Sequence, residues 1–154
     1  MCEYCGCQQV DVIAELTAEH DRLRNLGHEL AKAANTDDLA AAKPLAAEMR
    51  ELLGPHTAVE EHGLFPALAA DFGSQLERLV SEHREIDAAL AAVASGTPAT
   101  SWRGTMQLAL AHLFDHILKE QDGVFPAALA TLTPDDWERI GAVRRSVGRL
   151  PATR

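Results

Sequence analysis

The sequence predicts an all-α protein, an up-down-up-down four-helix bundle with a short C-terminal fifth helix. Three observations lead there. Of the 154 residues 47% are apolar but only 5% aromatic, and much of the apolar share is alanine, which favours helix and is scarce in strand cores. Apolar residues recur at helical spacing along most of the chain. The first half of the chain is also repeated in the second. A chain of this length buries about two-thirds of its unfolded surface around one core, so no metal or disulfide is needed merely to fold it.

Val12, Ile13, Leu16, Leu23, Leu26 and Leu30 define a first helix from about Gln8 to Ala34, ended by Asn35, Thr36 and Asp37. A second starts near Asp37 or Asp38, carries Leu45, Met49, Leu52 and Leu53, and meets Gly54-Pro55, expected to kink or restart it before His56. It fades around Leu64-Phe65-Pro66. Gly73-Ser74 caps a third helix through Leu76, Leu79, Val80, Ile86, Leu90 and Val93, which the turn Ser95-Gly96-Thr97-Pro98 ends. Thr100 or Ser101 starts the fourth, with Met106, Leu108, Leu110, Leu113, Phe114, Ile117 and Leu118, running out near Asp122-Gly123. Thr133-Pro134-Asp135-Asp136 reads as an N-cap followed by proline at the first helical position of a short fifth helix. The expected organisation is a cysteine-rich tail over 1–7, the bundle over 8–131, and a short helix and tail packed on it over 132–154.

Fourteen basic against 23 acidic residues give a net charge of -9, which opposes nucleic acid and anionic membrane surfaces as partners and suits cations or small ligands. The sequence has neither an apolar run of spanning length nor the basic-then-apolar layout of a signal peptide, so a cytoplasmic location is expected.

The duplication carries the chemistry. Glu19-His20 answers Glu82-His83, and the stretch from His56 through Glu60 to Phe65-Pro66-Ala67 answers that from His116 through Glu120 to Phe125-Pro126-Ala127. The offsets agree, 63 residues from His20 to His83 and 60 from His56 to His116. Residues four apart share a helix face, so His56 with Glu60 and His116 with Glu120 can each grip an ion. Counting from the helix ends puts His20 and His83 roughly 14 to 18 Å along their helices, in the same half of the bundle as the other four groups. Four imidazoles and two carboxylates supply two metals symmetrically, and mixed nitrogen and oxygen ligation favours iron or manganese over structural zinc. If Glu60 and Glu120 bridge and each ion takes two histidines, each has four protein ligands and open positions for reaction. A lone His-x3-Glu pair is usually an exposed side-chain pair; two copies at matched places, which a helix core would otherwise bury at a cost of several kcal/mol, shift the balance to metal.

With this pattern, His, His-x3-Glu, His, His-x3-Glu with Leu-Phe-Pro after the second helix, the chain from His20 to Pro126 resembles the bacterial branch of the hemerythrin-like family. The resemblance implies that His20, His56, His83 and His116 bind two non-haem iron ions, oxo- or hydroxo-bridged, with Glu60 and Glu120 as bridges. It also implies hydrogen peroxide, dioxygen or nitric oxide as the small-molecule ligand. The chain departs from the oxygen carriers, which use a fifth histidine on the third helix. The residues at that spacing from His83 are Leu79 and Asp87, and the last motif ends in Glu120 instead of a His-x4-Asp. A missing ligand opens a second coordination position, which favours attack by peroxide or nitric oxide and redox turnover over storage of one dioxygen. The resemblance to related bacterial proteins implies catalase-like peroxide handling; the alternative is an oxygen, nitric oxide or iron sensor or store without turnover.

Other residues carry two readings. His112, four before His116, is an extra ligand or a proton carrier beside the site. Asp87 completes a coordination sphere or pairs with Arg84 or another base. Glu61 and His62 are expected to turn outward, and His28 to lie deeper in the bundle or on its surface. Glu19 and Glu82 either hydrogen-bond histidines of a neighbouring helix or form a solvated face. Phe65-Pro66 and Phe125-Pro126 are expected to close the apolar end of the bundle beneath the site. Cys2, Cys5 and Cys7, with the single tyrosine Tyr4, make no disulfide framework; they would bind a further metal, serve the iron pair as ligand or reductant, sense redox state, or do none of these.

Overall fold

A computed structural model describes residues 7–96 and 99–147, and among these there is no strand. Four long helices form a closed ring of neighbours: α1 (Cys7–Asn35) and α3 (Phe65–Ala94) each pack against both α2 (Leu39–Val59) and α4 (Trp102–Lys119). Two shorter helices, α5 (Phe125–Thr131) and α6 (Pro134–Val147), follow. Cys2, Tyr4 and Cys5 lie outside the described residues, as do Thr97 and Pro98 of the turn after α3. No helix among the described residues is long and apolar enough to cross a membrane.

The helix ends follow local chemistry. Asp38 caps α2, its side chain accepting from the Ala41 N–H at 3.0 Å. Ser95 and Gly96 close α3, Gly96 at the positive φ of 79° that glycine takes without steric cost. At α6 the Thr133 hydroxyl accepts from the Asp136 N–H at 3.2 Å while the Asp136 carboxylate accepts from the Thr133 N–H at 2.9 Å, a reciprocal cap with Pro134 as first helical residue. An Asp38→Ala variant is expected to lose about 0.5–2 kcal/mol in urea unfolding, the usual worth of such a cap.

Three expectations need correction. The second helix neither breaks nor restarts at Gly54-Pro55: α2 runs through both Pro44 and Pro55 to Val59. A proline inside a helix removes one hydrogen bond, and here Met49, Leu52, Leu53, His56 and Val59 on either side are buried, so packing holds the helix together across it. The helices also do not simply fade at the two Phe-Pro sequences. Glu60–Leu64 and Glu120–Val124 each form one wide π turn, closed by the Phe65 N–H on the Glu60 carbonyl and the Phe125 N–H on the Glu120 carbonyl. Pro66 and Pro126 follow them, and the extra residue of winding relieves the contact that each ring would make in α winding with the carbonyl four residues earlier. The wider turn brings Phe65 round above Glu60, and Phe125 above Glu120, where α winding would put the preceding residue. The third helix does not start at Gly73-Ser74 either: α3 begins at Phe65 and runs through both residues, interrupted just before them at Phe72, with φ -129° and ψ 18°.

Two apolar blocks fill the bundle. One contains Leu23, Leu30, Met49, Leu53, Leu90 and Leu113; the other contains Leu16, Val59, Leu64, Phe65, Phe125 and Trp137. Each fully buried Leu contributes about 1.5–3 kcal/mol of transfer free energy. The histidines fall between the blocks, His20 between Leu16 and Leu23 and His83 between Leu79 and Ile86, so the polar layer is apolar above and below. α6 covers the second block. Its buried face is Trp137, Ile140 and Arg144, at helical spacing, against α1, α2 and the first π turn.

Candidate metal centre

Each of the four long helices contributes one imidazole to the layer, and the two π turns begin with the carboxylates. His20, His56, His83 and His116 are all buried, and Glu60 and Glu120 are entirely so. Two sets of four ligand atoms converge within 4.8 Å of one another, His20, His56, Glu60 and Glu120 in one, Glu60, His83, His116 and Glu120 in the other. Both carboxylates belong to both sets. All six residues singled out in the sequence are thus brought together.

Hydrogen bonds on the outer side aim the imidazoles inward. His56 Nδ1 lies 3.2 Å from Glu19 Oε1 and His116 Nδ1 2.7 Å from Glu82 Oε2; His83 Nδ1 lies 2.8 Å from Glu61 Oε1 and His20 Nδ1 3.2 Å from the amide oxygen of Gln121. These acceptors assign the N–H to Nδ1 in every ring and point Nε2 into the layer. There the Nε2 atoms of His20 and His56 stand 3.1 Å apart and those of His83 and His116 2.9 Å apart. Glu60 reaches His56 Nε2 at 3.0 Å and His83 Nε2 at 3.1 Å; Glu120 reaches His116 Nε2 at 2.8 Å and His20 Nε2 at 3.5 Å. None of the four oxygens of Glu60 and Glu120 makes a well-formed hydrogen bond. Paired nitrogen lone pairs and unpartnered buried carboxylates would be costly alone, and a cation between them satisfies both. The donor set fits two metal ions.

Sequence reasoning placed Glu61 outward, and the structure corrects this. One position beyond Glu60 is about a quarter turn round the helix, which in a bundle faces the neighbour α3, not open water. Gln121, one position beyond Glu120, faces α1 by the same geometry. The readable signal was the mirror case, Glu19 and Glu82 one position before a histidine and facing the other neighbour. The remaining expectations are settled by position. His62 and His112 are exposed, and His28 is exposed with its ring 4.9 Å from that of Phe114. Asp87 pairs with Arg50, Oδ1 to Nε 2.8 Å, not with Arg84. Phe65 and Phe125 lie on the ligands themselves, Phe65 stacked on His83 at 6.0 Å and Phe125 on His20 at 5.5 Å.

Arg144, the one α6 side chain that reaches this far, was not foreseen. Its guanidinium clamps Glu19 with nitrogen-oxygen distances of 2.9 and 3.0 Å, and its Nε meets Glu15 at 2.9 Å. Burial works against the Glu19 charge, but His56 and Arg144 together hold its carboxyl below the ordinary range.

Protons can occupy the layer in place of metal. Burial and the charge of His56 push His20 down to about 3, whereas for His56 Glu60 and Glu19 outweigh burial and raise it to about 9. The second pair divides likewise: burial lowers His116, and Glu60 and Glu61 overcome burial to raise His83. Burial and the charge of Glu60 lift Glu120 well above the usual carboxylate range. At neutral pH a metal therefore displaces the proton of His56, together with whatever protons the raised His83 and Glu120 still hold. Affinity for cobalt(II), measured against a competing chelator, is expected to climb between about pH 6 and pH 9, by about tenfold per unit for each proton displaced. A flat profile would contradict this proton assignment.

A cavity of about 500 Å³ reaches the layer from between α2 and α3. His20, His56, His83 and His116 line its floor, and Arg50, Arg84 and Asp87 its rim. The Arg50–Asp87 pair ties α2 to α3 there, half-exposed and worth about 0–1 kcal/mol.

Compared with known protein families, residues 11–128 match the model described as "Hemerythrin HHE cation binding domain". Comparison with curated proteins and with solved structures returns no significant match.

Proposed function

Because the chain belongs to the hemerythrin HHE cation-binding family, we propose that it is a cytoplasmic diiron protein that turns over hydrogen peroxide in a catalase-like manner. His20 and His56 would hold one ion and His83 and His116 the other, with Glu60 and Glu120 shared between them. The observation that carries this is the sharing of both buried carboxylates by both ligand sets, with Glu120 and the four histidines lining a cavity that opens to solvent. A pair of iron ions supplies open coordination positions and a two-electron couple, with which two hydrogen peroxide molecules give two water molecules and dioxygen.

The chain's own part is to orient, exclude and admit. Glu19, Glu82, Glu61 and Gln121 fix the imidazole rings, and the two apolar blocks keep bulk water from either side of the layer. The cavity admits a small neutral molecule, and its rim, with acids and bases together, has no strong preference for an ion. Glu61, at the cavity wall and in part exposed, stands closest to exchange protons with solvent.

Contacts between neighbouring helices support an up-down-up-down path with α6 as an added fifth helix. Arg50 meets Asp87 while Glu61 meets His83, and Arg103 meets the Ala34 carbonyl while Gln121 meets His20, the order reversed each time.

The test is oxygen evolution by the iron-loaded full chain given hydrogen peroxide, expected to run for many turnovers per chain. If it yields no oxygen beyond a free-iron control, peroxide turnover is excluded; stoichiometric binding of nitric oxide or dioxygen with no turnover would instead identify a sensor or store.

A further inference from the structure

The approximate two-fold that relates the halves fails at one residue touching the site. Three imidazoles give their outer N–H to a carboxylate: His56 to Glu19, His116 to Glu82 and His83 to Glu61. The fourth, His20, gives its N–H to the neutral amide oxygen of Gln121 at 3.2 Å, because the position that is Glu61 in one half is Gln121 in the other. An imidazole backed by a carboxylate is a more basic ligand than one backed by an amide.

The counter-charges tilt the same way. Glu19, behind His56, is clamped by both terminal nitrogens of the buried Arg144, whereas Glu82, behind His116, shares its charge with Lys119, an exposed ammonium that solvent screens. The inner side agrees. His20 Nε2 stands 3.8 Å from Glu60 and 3.5 Å from Glu120, while the other three imidazoles come within 2.8 to 3.1 Å of a bridging carboxylate. Glu60 and Glu120 belong to both ligand sets, so the number of carboxylates does not distinguish the two positions.

We propose that the two metal positions are inequivalent, that the pair His83 and His116 is the tighter and more electron-rich, and that Gln121 is the positioning residue that weakens the pair His20 and His56. The inference rests on the two-metal reading above. It gives the protein a one-metal state in which only the His83 and His116 position is filled, and makes the other ion the exchangeable one.

Titrating the metal-free full chain with cobalt(II), followed by native mass spectrometry and chelator competition, tests it. Two binding steps are expected, further apart than statistics alone requires, with a one-metal species accumulating between them. Gln121→Glu should tighten the second step by about tenfold and draw the steps together, while Glu61→Gln should weaken the first by about as much, the size seen when an outer hydrogen-bond partner of a ligand changes. The exchange variant Glu61→Gln with Gln121→Glu keeps the net charge. It should reverse the order of filling, read from which histidine N–H resonances the first equivalent of cobalt displaces. Opposite shifts from two amide-carboxylate exchanges cannot come from general damage to the fold. Equal steps in the unmodified chain, or an unchanged filling order in the exchange variant, would overturn the inequivalence. Saturation at one ion per chain in every variant would instead overturn the two-metal reading itself.

Discussion

A Glu60→Ala/Glu120→Ala variant is expected to purify with no bound iron, and the unmodified chain with two ions. Both carboxylates sit in both ligand sets, so the substitution takes two donors from each position and leaves two imidazoles apiece. The loss should exceed the roughly 10–100-fold that follows from removing an outer hydrogen-bond partner. Stability reports the same event independently of reactivity. A metal present at about a thousand times its dissociation constant stabilises the folded state by about 4 kcal/mol, and the variant should show no such metal-dependent rise in Tm. Metal analysis and thermal unfolding with and without added iron check both halves. A variant that keeps two ions would remove Glu60 and Glu120 from the site.

Arg144→Ala should destabilise the chain by about 3–5 kcal/mol in urea unfolding, the cost of leaving one member of a buried ion pair alone. Glu19 would keep only His56 as a partner, and the buried face of α6 would lose the residue that ties it to α1. The pH dependence should change with it. In the folded chain the Glu19 carboxyl is held below its ordinary value, so its contribution is fully present above the usual carboxylate range and fades as pH falls through the lowered value. Without Arg144 that acid-side loss should shrink, and unfolding midpoints measured down the acid range would show it. A cost below about 1 kcal/mol, the worth of an exposed pair, would mean that solvent reaches Glu19.

The duplication made the centre of the site legible. The offsets between His20 and His83 and between His56 and His116 placed four imidazoles and two carboxylates, and the positions of Glu19 and Glu82 suggested their hydrogen bonds. What stayed hidden depended on facts that periodicity does not carry. Glu61 was judged against one helix with an inside and an outside, whereas a helix in a ring has two flanks, each facing a neighbour. Arg144 lies 125 residues from Glu19 in the chain, on a helix outside the repeat, so no local pattern connects them. At Pro55 the local rule was correct about the lost hydrogen bond but silent about the packing of Leu52, Leu53, His56 and Val59, which outweighs it. The start of α6 was visible because Thr133, Pro134 and Asp136 encode it within four residues.

The paired π turns bear on any attempt to transplant this centre. A designer copying the six ligands onto straight, ideally wound rods would recover His56 with Glu60 and His116 with Glu120. The aromatic rings that now rest on His83 and His20 would then swing away, because their seats depend on an extra residue of winding after each acid. The portable unit is therefore the ligand pair together with its phase slip and the Phe-Pro that follows it. Deleting one residue from either wide turn should turn Phe65 or Phe125 off its histidine, with every ligand still present in the sequence.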